Sequence, residues 1–313
     1  MDFLISGTHI NPVYLVLVGF LVGVMGGFFG VGGSFLAGPA LFAFGVPMNF
    51  VVGTDLAHIV GKSIVATKKH RALGNVDMKL AAIMVGPTIV GAELGAQLIQ
   101  YLKRVSHVDF VVGIGFIVVL VSITIFMGWE SWQTLQMHRA RDDKQKAAGR
   151  KPRTLKAGKD ESSFSHITKR IQRMNIAPMV SLPTAGIASI SVWVIVVIAF
   201  IGGFFSGFLG GGAGYIRMPA MVYLLGVPTH VAVGTDLFEI MISASYGTFT
   251  HALKGNVDIL LALVMHTGAA IGAQIGAIGT EFFHGARIRL AFVPLPLIGA
   301  GIIVYGLVTG HHH

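Results

Sequence analysis

Apolar runs set the rhythm of this chain. Eight stretches of roughly twenty mostly apolar residues occur at 12–29, 49–66, 79–100 and 108–128, then at 184–207, 230–249, 258–279 and 290–308. A bilayer hydrocarbon core about 30 Å thick takes roughly 20 residues as helix, so each run predicts one span. Two further apolar pieces, 35–45 and 215–226, are only about a dozen residues long and follow Gly-rich breaks. They predict half-helices or re-entrant segments, because irregular backbone survives at membrane depth only where protein or a water-filled cavity satisfies it. The predicted fold is all-α: a polytopic membrane helical bundle of two homologous repeats, each with four spans and a short broken helix, giving eight to ten membrane segments.

The repeat is written into the residues. Val46-Pro47 and Val52-Gly53-Thr54-Asp55-Leu56 return as Val227-Pro228 and Val233-Gly234-Thr235-Asp236-Leu237. Gly74-Asn75-Val76-Asp77 returns at the same offset as Gly255-Asn256-Val257-Asp258, and these Asn/Asp residues predict caps for the helices that follow. Upstream, Gly27-Phe28-Phe29-Gly30-Val31-Gly32-Gly33 matches Gly207-Phe208-Leu209-Gly210-Gly211-Gly212-Ala213, one residue out of phase. Internal duplication in a polytopic membrane protein is the architecture of secondary carriers, with the binding site where interrupted segments of the two halves meet. If the short helix stays re-entrant, each half has four spans and the copies are parallel. If it completes a crossing with its break, each half has five and the copies are inverted.

Composition removes the soluble alternatives. Of 313 residues, 53% are hydrophobic and only 12% charged, against about 25% charged in ordinary soluble domains. Mean hydropathy is +0.74, and there is no cysteine, so disulfides, thiolate metal sites and cysteine nucleophiles are excluded. The net charge of +9 is concentrated: residues 130–182 hold 12 Lys+Arg and 5 Asp+Glu, against 11 and 9 in all the rest. That basic linker contains only Trp132 and Phe164 as aromatics, too few for the stacking of a nucleic-acid binder. The organisation is then a first transmembrane repeat at 1–128, a basic linker at 129–183, a second repeat at 184–310 and a tag-like remnant at 311–313, where three His follow Gly310. No Lys or Arg precedes the first apolar run, unlike a secretory signal. The excess of basic residues predicts a cytoplasmic linker in a bacterial-type inner membrane, with Lys68, Lys69, Arg71 and Lys79 on the same side. Phe164, Ile167, Ile171 and Met174 recur at helical spacing among Lys169, Arg170 and Arg173. They read either as an interfacial helix on anionic headgroups or as a solvated tether.

Candidate chemistry lies in the few polar positions inside the apolar runs. The breaks offer Gly30, Gly32, Gly33 and Ser34 in one half, and Gly211, Gly212 and Gly214 in the other. Helix N-termini there would present free N–H groups to an oxyanion, the alternative being close helix packing. For Gly268, Gly272 and Gly276, packing is the expectation. Arg217, in so short an apolar helix, is either a ligand for a substrate anion or an ion-pair partner of Asp236 or Asp55. Asp55, His58 and Lys62 share one helix face, and the second copy reads Asp236, Glu239, Ser243 and Tyr246. Thr54 and Thr235 add hydroxyls beside the carboxylates, although Asp55 and Asp236 could simply cap their helices. Glu93, with Gln97 one turn away and Gln274 at its equivalent position, is a candidate proton carrier; His58, Glu239 and His266 are weaker ones.

The Gly-rich break, the Pro-containing short helix after it (Pro39, Pro219), the Gly-Val-Pro turns and Gly-Thr-x-Leu in both halves resemble the sulfite exporter TauE/SafE family. The resemblance covers nearly all of the chain outside the linker. It implies an integral membrane carrier of sulfite, sulfoacetate or related anions. Family members more often have Ser where this chain has Asp55 and Asp236, and a shorter linker. The expected partners are a small anionic substrate, H+ as coupling ion, anionic lipid at the linker and a second copy in a homodimer; no nucleic acid, cofactor or enzymatic activity is expected. Two other classes compete. A divalent metal or other cation carrier could use Asp55, His58, Asp236 and Glu239, and an intramembrane aspartyl protease would need Asp55 and Asp236 close enough to share a proton.

Overall fold

The computed structural model describes residues 1–147, 165–174, 176–283 and 285–309. Twelve helices are described: α1 Pro12–Phe29, α2 Ser34–Ala43, α3 Met48–Ala72, α4 Met78–Arg104, α5 Val108–Ala147, α6 Ser165–Gln172, α7 Val192–Leu209, α8 Gly214–Ala220, α9 Thr229–Leu253, α10 Ile259–Gly279, α11 Gly285–Phe292 and α12 Pro294–Thr309. Two short antiparallel hairpins, β1 Asp2–Phe3 with β2 Thr8–His9 and β3 Met179–Leu182 with β4 Ile187–Ser191, precede α1 and α7. Among the described residues, seven helices are long and apolar enough to cross a membrane. Helix α9 has the same 25 residues as α3 but falls outside that set; Asp236, Glu239 and its Ser and Thr residues dilute its hydropathy.

Most predicted spans hold, with three corrections. The run at 184–207 starts as the β3–β4 hairpin, because Pro183 and Gly186 (φ +69°) turn the chain before α7 begins. The last span is split at Val293, where Pro294 starts a new helix. Helix α5 runs unbroken through residue 128 to Ala147, so Glu130 is a buried residue of that helix. Phe164 and the tag-like 311–313 lie outside the described residues. The rest of the amphipathic segment forms α6, which docks onto protein: Thr168 Oγ1 donates to the Tyr223 carbonyl at 2.7 Å, and Gln172 Nε2 to that of Leu225 at 2.8 Å.

The main interfaces join one half to the other. Helices α1 and α10 pack in parallel on interleaved glycines: a Cβ on Gly19 or Gly23 would strike the carbonyls of Met265 or Ala269, and one on Gly268, Gly272 or Gly276 those of Val16, Phe20 or Val24. Helices α4 and α7 repeat the arrangement with Gly91 and Gly95 against Gly203 and Gly207. Without a hydrophobic drive between helices in lipid, such backbone approach supplies the packing. The halves also exchange caps. Asp77 accepts from Leu80 N (3.0 Å) to cap α4, and Asp258 from Leu261 N (3.1 Å) to cap α10. Their own amides donate to the other half's threonine, Asp77 N to Thr235 Oγ1 and Asp258 N to Thr54 Oγ1, both at 2.9 Å. Each hairpin reaches across as well: Ser6 N donates to Asp258 (3.1 Å) and Ala185 N to Asp77 (3.2 Å).

These contacts settle the orientation of the copies. Ser6 beside Asp258 puts the starts of α1, α3 and α10 at one end of the bundle, the N-terminal end. Ala185 beside Asp77 puts the starts of α4 and α7 at the other, the linker end. Both α1 and α3 therefore run toward the linker end, and the segment between them must return. It does: Phe35 meets Gly299, and Phe42 meets Gly306, so α2 runs parallel to α12 and back toward the N-terminal end. Helix α3 is consequently antiparallel to α9, and the two copies are inverted, with the short helix completing each crossing. The breaks touch in the middle, where Gly32 faces the Gly211 carbonyl, 2.8 Å from where its Cβ would stand. Gly30 abuts Val233 and Gly210 abuts Val52, both with positive φ (73° and 78°), so only glycine serves there.

Inversion has a direct test in a chain that lacks cysteine. Single cysteines at the exposed positions Ala72 and Ala252, at equivalent ends of α3 and α9, should react with a membrane-impermeant thiol reagent from opposite sides. Labelling from one side would mean parallel copies.

Candidate functional site

Where α3 crosses α9, Leu56, Ile59, Ile240 and Ala244 form a small apolar cluster separate from the main core. A polar stripe lies on each helix. On α3, Asp55, His58 and Lys62 are each 1% exposed. His58 Nδ1 lies 3.4 Å from Asp55 Oδ1 and 3.4 Å from Lys62 Nζ. The His266 ring of α10 closes this half-site by packing against Gly61, which has no side chain to exclude it. No carboxylate among the described residues lies within ion-pair distance of Lys62.

The second stripe has another composition. Asp236 and Glu239 of α9 are fully buried, and Arg217 enters from α8, with Nε 2.8 Å from Asp236 Oδ1 and Nη2 2.6 Å from Glu239 Oε2. Ser243 Oγ donates to Glu239 Oε2 at 3.3 Å. Gly202 of α7 leaves room for the arginine stem, since a Cβ there would strike its Cγ. Arg217 is thus the ion-pair partner of two carboxylates, the structural alternative among its expected roles. Asp236 Oδ2 also lies 2.5 Å from where a side chain on Gly214 would stand. The protein's own carboxylate therefore faces the start of α8, where the sequence predicts a substrate anion.

Several buried atoms at the centre have no protein hydrogen-bond partner: Asp55 Oδ2, His58 Nε2, the Tyr215 hydroxyl, Arg217 Nη1, Asp236 Oδ2 and Glu239 Oε1. Interiors leave few such groups, and these divide between the α3 stripe and the α8–α9 stripe, which makes both candidate sites. Tyr215 is the residue that sequence reasoning missed; its only signal is its position two residues before Arg217. An apolar groove of about 510 Å³ between α2 and α12, lined by residues such as Phe44 and Tyr305, lies apart from these charges.

Other predicted residues take different places. The hydroxyls of Thr54 and Thr235 accept the cross-half bonds described above rather than flanking a free carboxylate. Asp55 and Asp236 do not cap: both lie well inside helices whose N-caps are Pro47 and Pro228. The α3–α9 register opposes Leu56 to Gly247, which separates the two aspartates by about twelve residues of rise, roughly 18 Å. They cannot share a proton, which removes the geometry an aspartyl protease needs. Glu93 is not an isolated carboxyl: it accepts from Lys254 Nζ (3.1 Å), Gln97 Nε2 (2.6 Å) and Tyr246 OH (3.3 Å), and its side chain is 32% exposed. The backbone of Ser34 starts α2, and nothing is described of its side chain. Among the described residues no group of three or more His, Asp or Glu side chains could hold a metal ion.

Two further buried polar sets went unnoticed in the sequence. His70 and His251, at equivalent positions, bond through Nε2 to the carbonyls of Gly27 (3.0 Å) and Gly207 (3.1 Å), near the ends of α1 and α7. Each must carry its proton on Nε2 to do so. At the linker end, buried Glu130 accepts from Tyr223 OH at 2.8 Å and Thr134 Oγ1 at 2.7 Å, while Arg289 Nη1 donates to Thr229 Oγ1 at 2.6 Å.

Removing one member of a buried ion pair strands the other charge at a cost of about 3–5 kcal/mol. Arg217→Gln is therefore expected to destabilise the protein by about that amount, and adding Glu239→Gln should recover part of it. Thermal unfolding in detergent measures both; an unshifted midpoint for Arg217→Gln would show that the triad does not hold the fold.

The family model for sulfite exporter TauE/SafE matches residues 15–302. The probable membrane transporter protein YunE of Bacillus subtilis (strain 168) is 24% identical over 305 residues, covering 94% of this chain and 98% of that protein. The probable membrane transporter protein YdhB of the same organism is also 24% identical, over 294 residues, covering 93% and 99%. A shorter stretch of 78 residues, 23% of this chain and 29% of the relative, is 40% identical to the probable membrane transporter protein MJ0441 of Methanocaldococcus jannaschii. No solved structure matches. With an all-α polytopic bundle, inverted broken helices and a family match across nearly its whole length, this chain belongs to the sulfite exporter TauE/SafE family of membrane proteins.

Proposed function

We propose that this protein is a secondary carrier of small anions, sulfur-containing oxyanions such as sulfite or sulfoacetate above all, working by alternating access around the paired breaks. The observation that carries the proposal is Lys62. An ammonium held at 1% exposure, with the ring nitrogen of His58 as its one hydrogen-bond neighbour among the described residues, is costly unless a negative partner visits. Asp55, the nearest carboxylate on its own face, lies seven residues earlier, beyond ion-pair distance. Arg217 is already committed to Asp236 and Glu239. The anion-accepting cation is therefore the lysine, with His58 Nε2 and the Tyr215 hydroxyl as further unpartnered polar groups. Inverted copies support the transport cycle: two similar arrangements of opposite direction let one structure open to either side. The name of the family, sulfite exporter, points to the same class of solute.

We place the linker end in the cytoplasm of an inner-membrane protein. The contacts put Lys68, Lys69, Arg71, Lys79, Arg287 and Arg289 at that end with the basic linker, and leave Lys103, Arg104 and Lys254 at the other. That distribution follows the positive-inside rule.

A ligand screen by thermal unfolding tests the proposal. Sulfite, sulfoacetate or sulfate at about 100 times its dissociation constant should stabilise the protein by about 2.7 kcal/mol. Lys62→Met should abolish that stabilisation while leaving the unliganded protein as stable or more so, because it removes an unpaired buried charge. Stabilisation by divalent metal ions and by none of the anions would replace this proposal with the cation-carrier alternative.

A further inference from the structure

The two half-sites occupy equivalent positions on inverted helices, yet their charges differ. Asp55, His58 and Lys62 on α3 correspond to Asp236, Glu239 and Ser243 on α9. With neutral imidazoles, the first set sums to zero, its lysine unpaired. The second, with Arg217 from α8, holds two carboxylates and one cation, all fully buried. The apolar cluster of Leu56, Ile59, Ile240 and Ala244 stands between them. Three carboxylates against two cations already leave this buried centre one positive charge short, and an incoming monoanion makes the shortfall two, a dianion three. An uncompensated buried charge is neutralised before it is tolerated.

We infer that the Arg217–Asp236–Glu239 half-site takes up one proton, on Glu239, each time the Lys62 half-site takes an anion, so that transport is anion–proton symport. The inference rests on the anion-carrier proposal. Geometry selects a proton over a metal cation. The guanidinium already stands 2.8 and 2.6 Å from the two carboxylates, in the place a metal ion would need and with the charge that would repel it. A proton needs no added room. Asp236 Oδ2 and Glu239 Oε1 both lack a protein partner, but Asp236 Oδ2 faces the start of α8, where helix N–H groups favour the charged carboxylate, which leaves Glu239 as the acceptor. The groups facing Glu239 are Arg217 from α8, Asp236 and Ser243 from its own helix and Thr88 from α4. His58 and Lys62 of α3 and His266 of α10 lie in the other half-site. Its equivalent in the first copy is His58, so the position is titratable in both halves.

The test uses purified full-length protein with sulfoacetate and with sulfate, neither of which titrates between about pH 6 and 8, and with sulfite. A pH-indicator dye in weakly buffered solution should report uptake of one proton per anion bound. Affinity should fall about tenfold per pH unit through the linked range, as one-proton linkage requires. Glu239→Gln should bind with no proton uptake and a flat pH profile. Binding by the wild type without proton uptake, uptake that persists in Glu239→Gln, or binding that requires Na+ would each overturn this inference and leave the anion proposal standing. If the wild type binds none of the three anions at any pH, the anion proposal falls and takes the inference with it. Should Glu239→Gln not fold, the wild-type stoichiometry and pH slope decide alone.

Discussion

Everything in this bundle depends on backbone meeting backbone along the glycine seams. In lipid, helices gain nothing from hiding apolar side chains, so close van der Waals contact must hold them. Gly19 and Gly23 of α1 mesh with Gly268, Gly272 and Gly276 of α10, and Gly91 and Gly95 of α4 with Gly203 and Gly207 of α7. Because every such seam joins one half to the other, the halves are not two bodies resting against each other. The cross-half caps at Asp77 and Asp258 join the halves again at the two ends.

With the outer helices so fixed, the broken segments are forced together at the centre. The positive-φ glycines let the chain reverse inside the bundle, and Gly32 and Gly211 bring the two reversals into contact. A reversal leaves unsatisfied helix ends, and the protein answers with its own groups: His70 and His251 on the α1 and α7 carbonyls, Asp236 at the start of α8. The apolar shell makes every charge inside it expensive, which gives Arg217 its two carboxylates and makes Lys62 conspicuous for having none within ion-pair distance. Approximate symmetry builds the frame; its violation at Lys62/Ser243 and His58/Glu239 gives the two half-sites different chemistry.

The linker is tied to this machinery. Thr168 and Gln172 of α6 bond to carbonyls of the π turn Met221–Leu225, which continues directly from the helix carrying Arg217. Tyr223 of the same turn donates to Glu130 at the end of the first half's last span. The described part of the basic segment therefore has a mechanical connection to the helix that carries Arg217.

Much of this was legible in the residues alone. Apolar length gave the spans, because a bilayer imposes a length on any helix that crosses it, and α1 runs from Pro12 to Phe29 as predicted. Asn-Val-Asp gave the caps, since capping is a local pattern. Orientation of the copies was not legible: it turned on whether short helices complete a crossing, which only the contacts of α2 with α12 decided. Nor was the pairing of Arg217 over Asp55, which sequence spacing left open. Its place between Asp236 and Glu239 depends on how α8 folds back beside Gly202 and on which face of α9 turns toward it, and those are facts of packing. Sequence by itself determined which groups must be buried, because the chain is too apolar to keep them in water; tertiary structure decided which of them face each other, because charges far apart along the chain meet only when helices do.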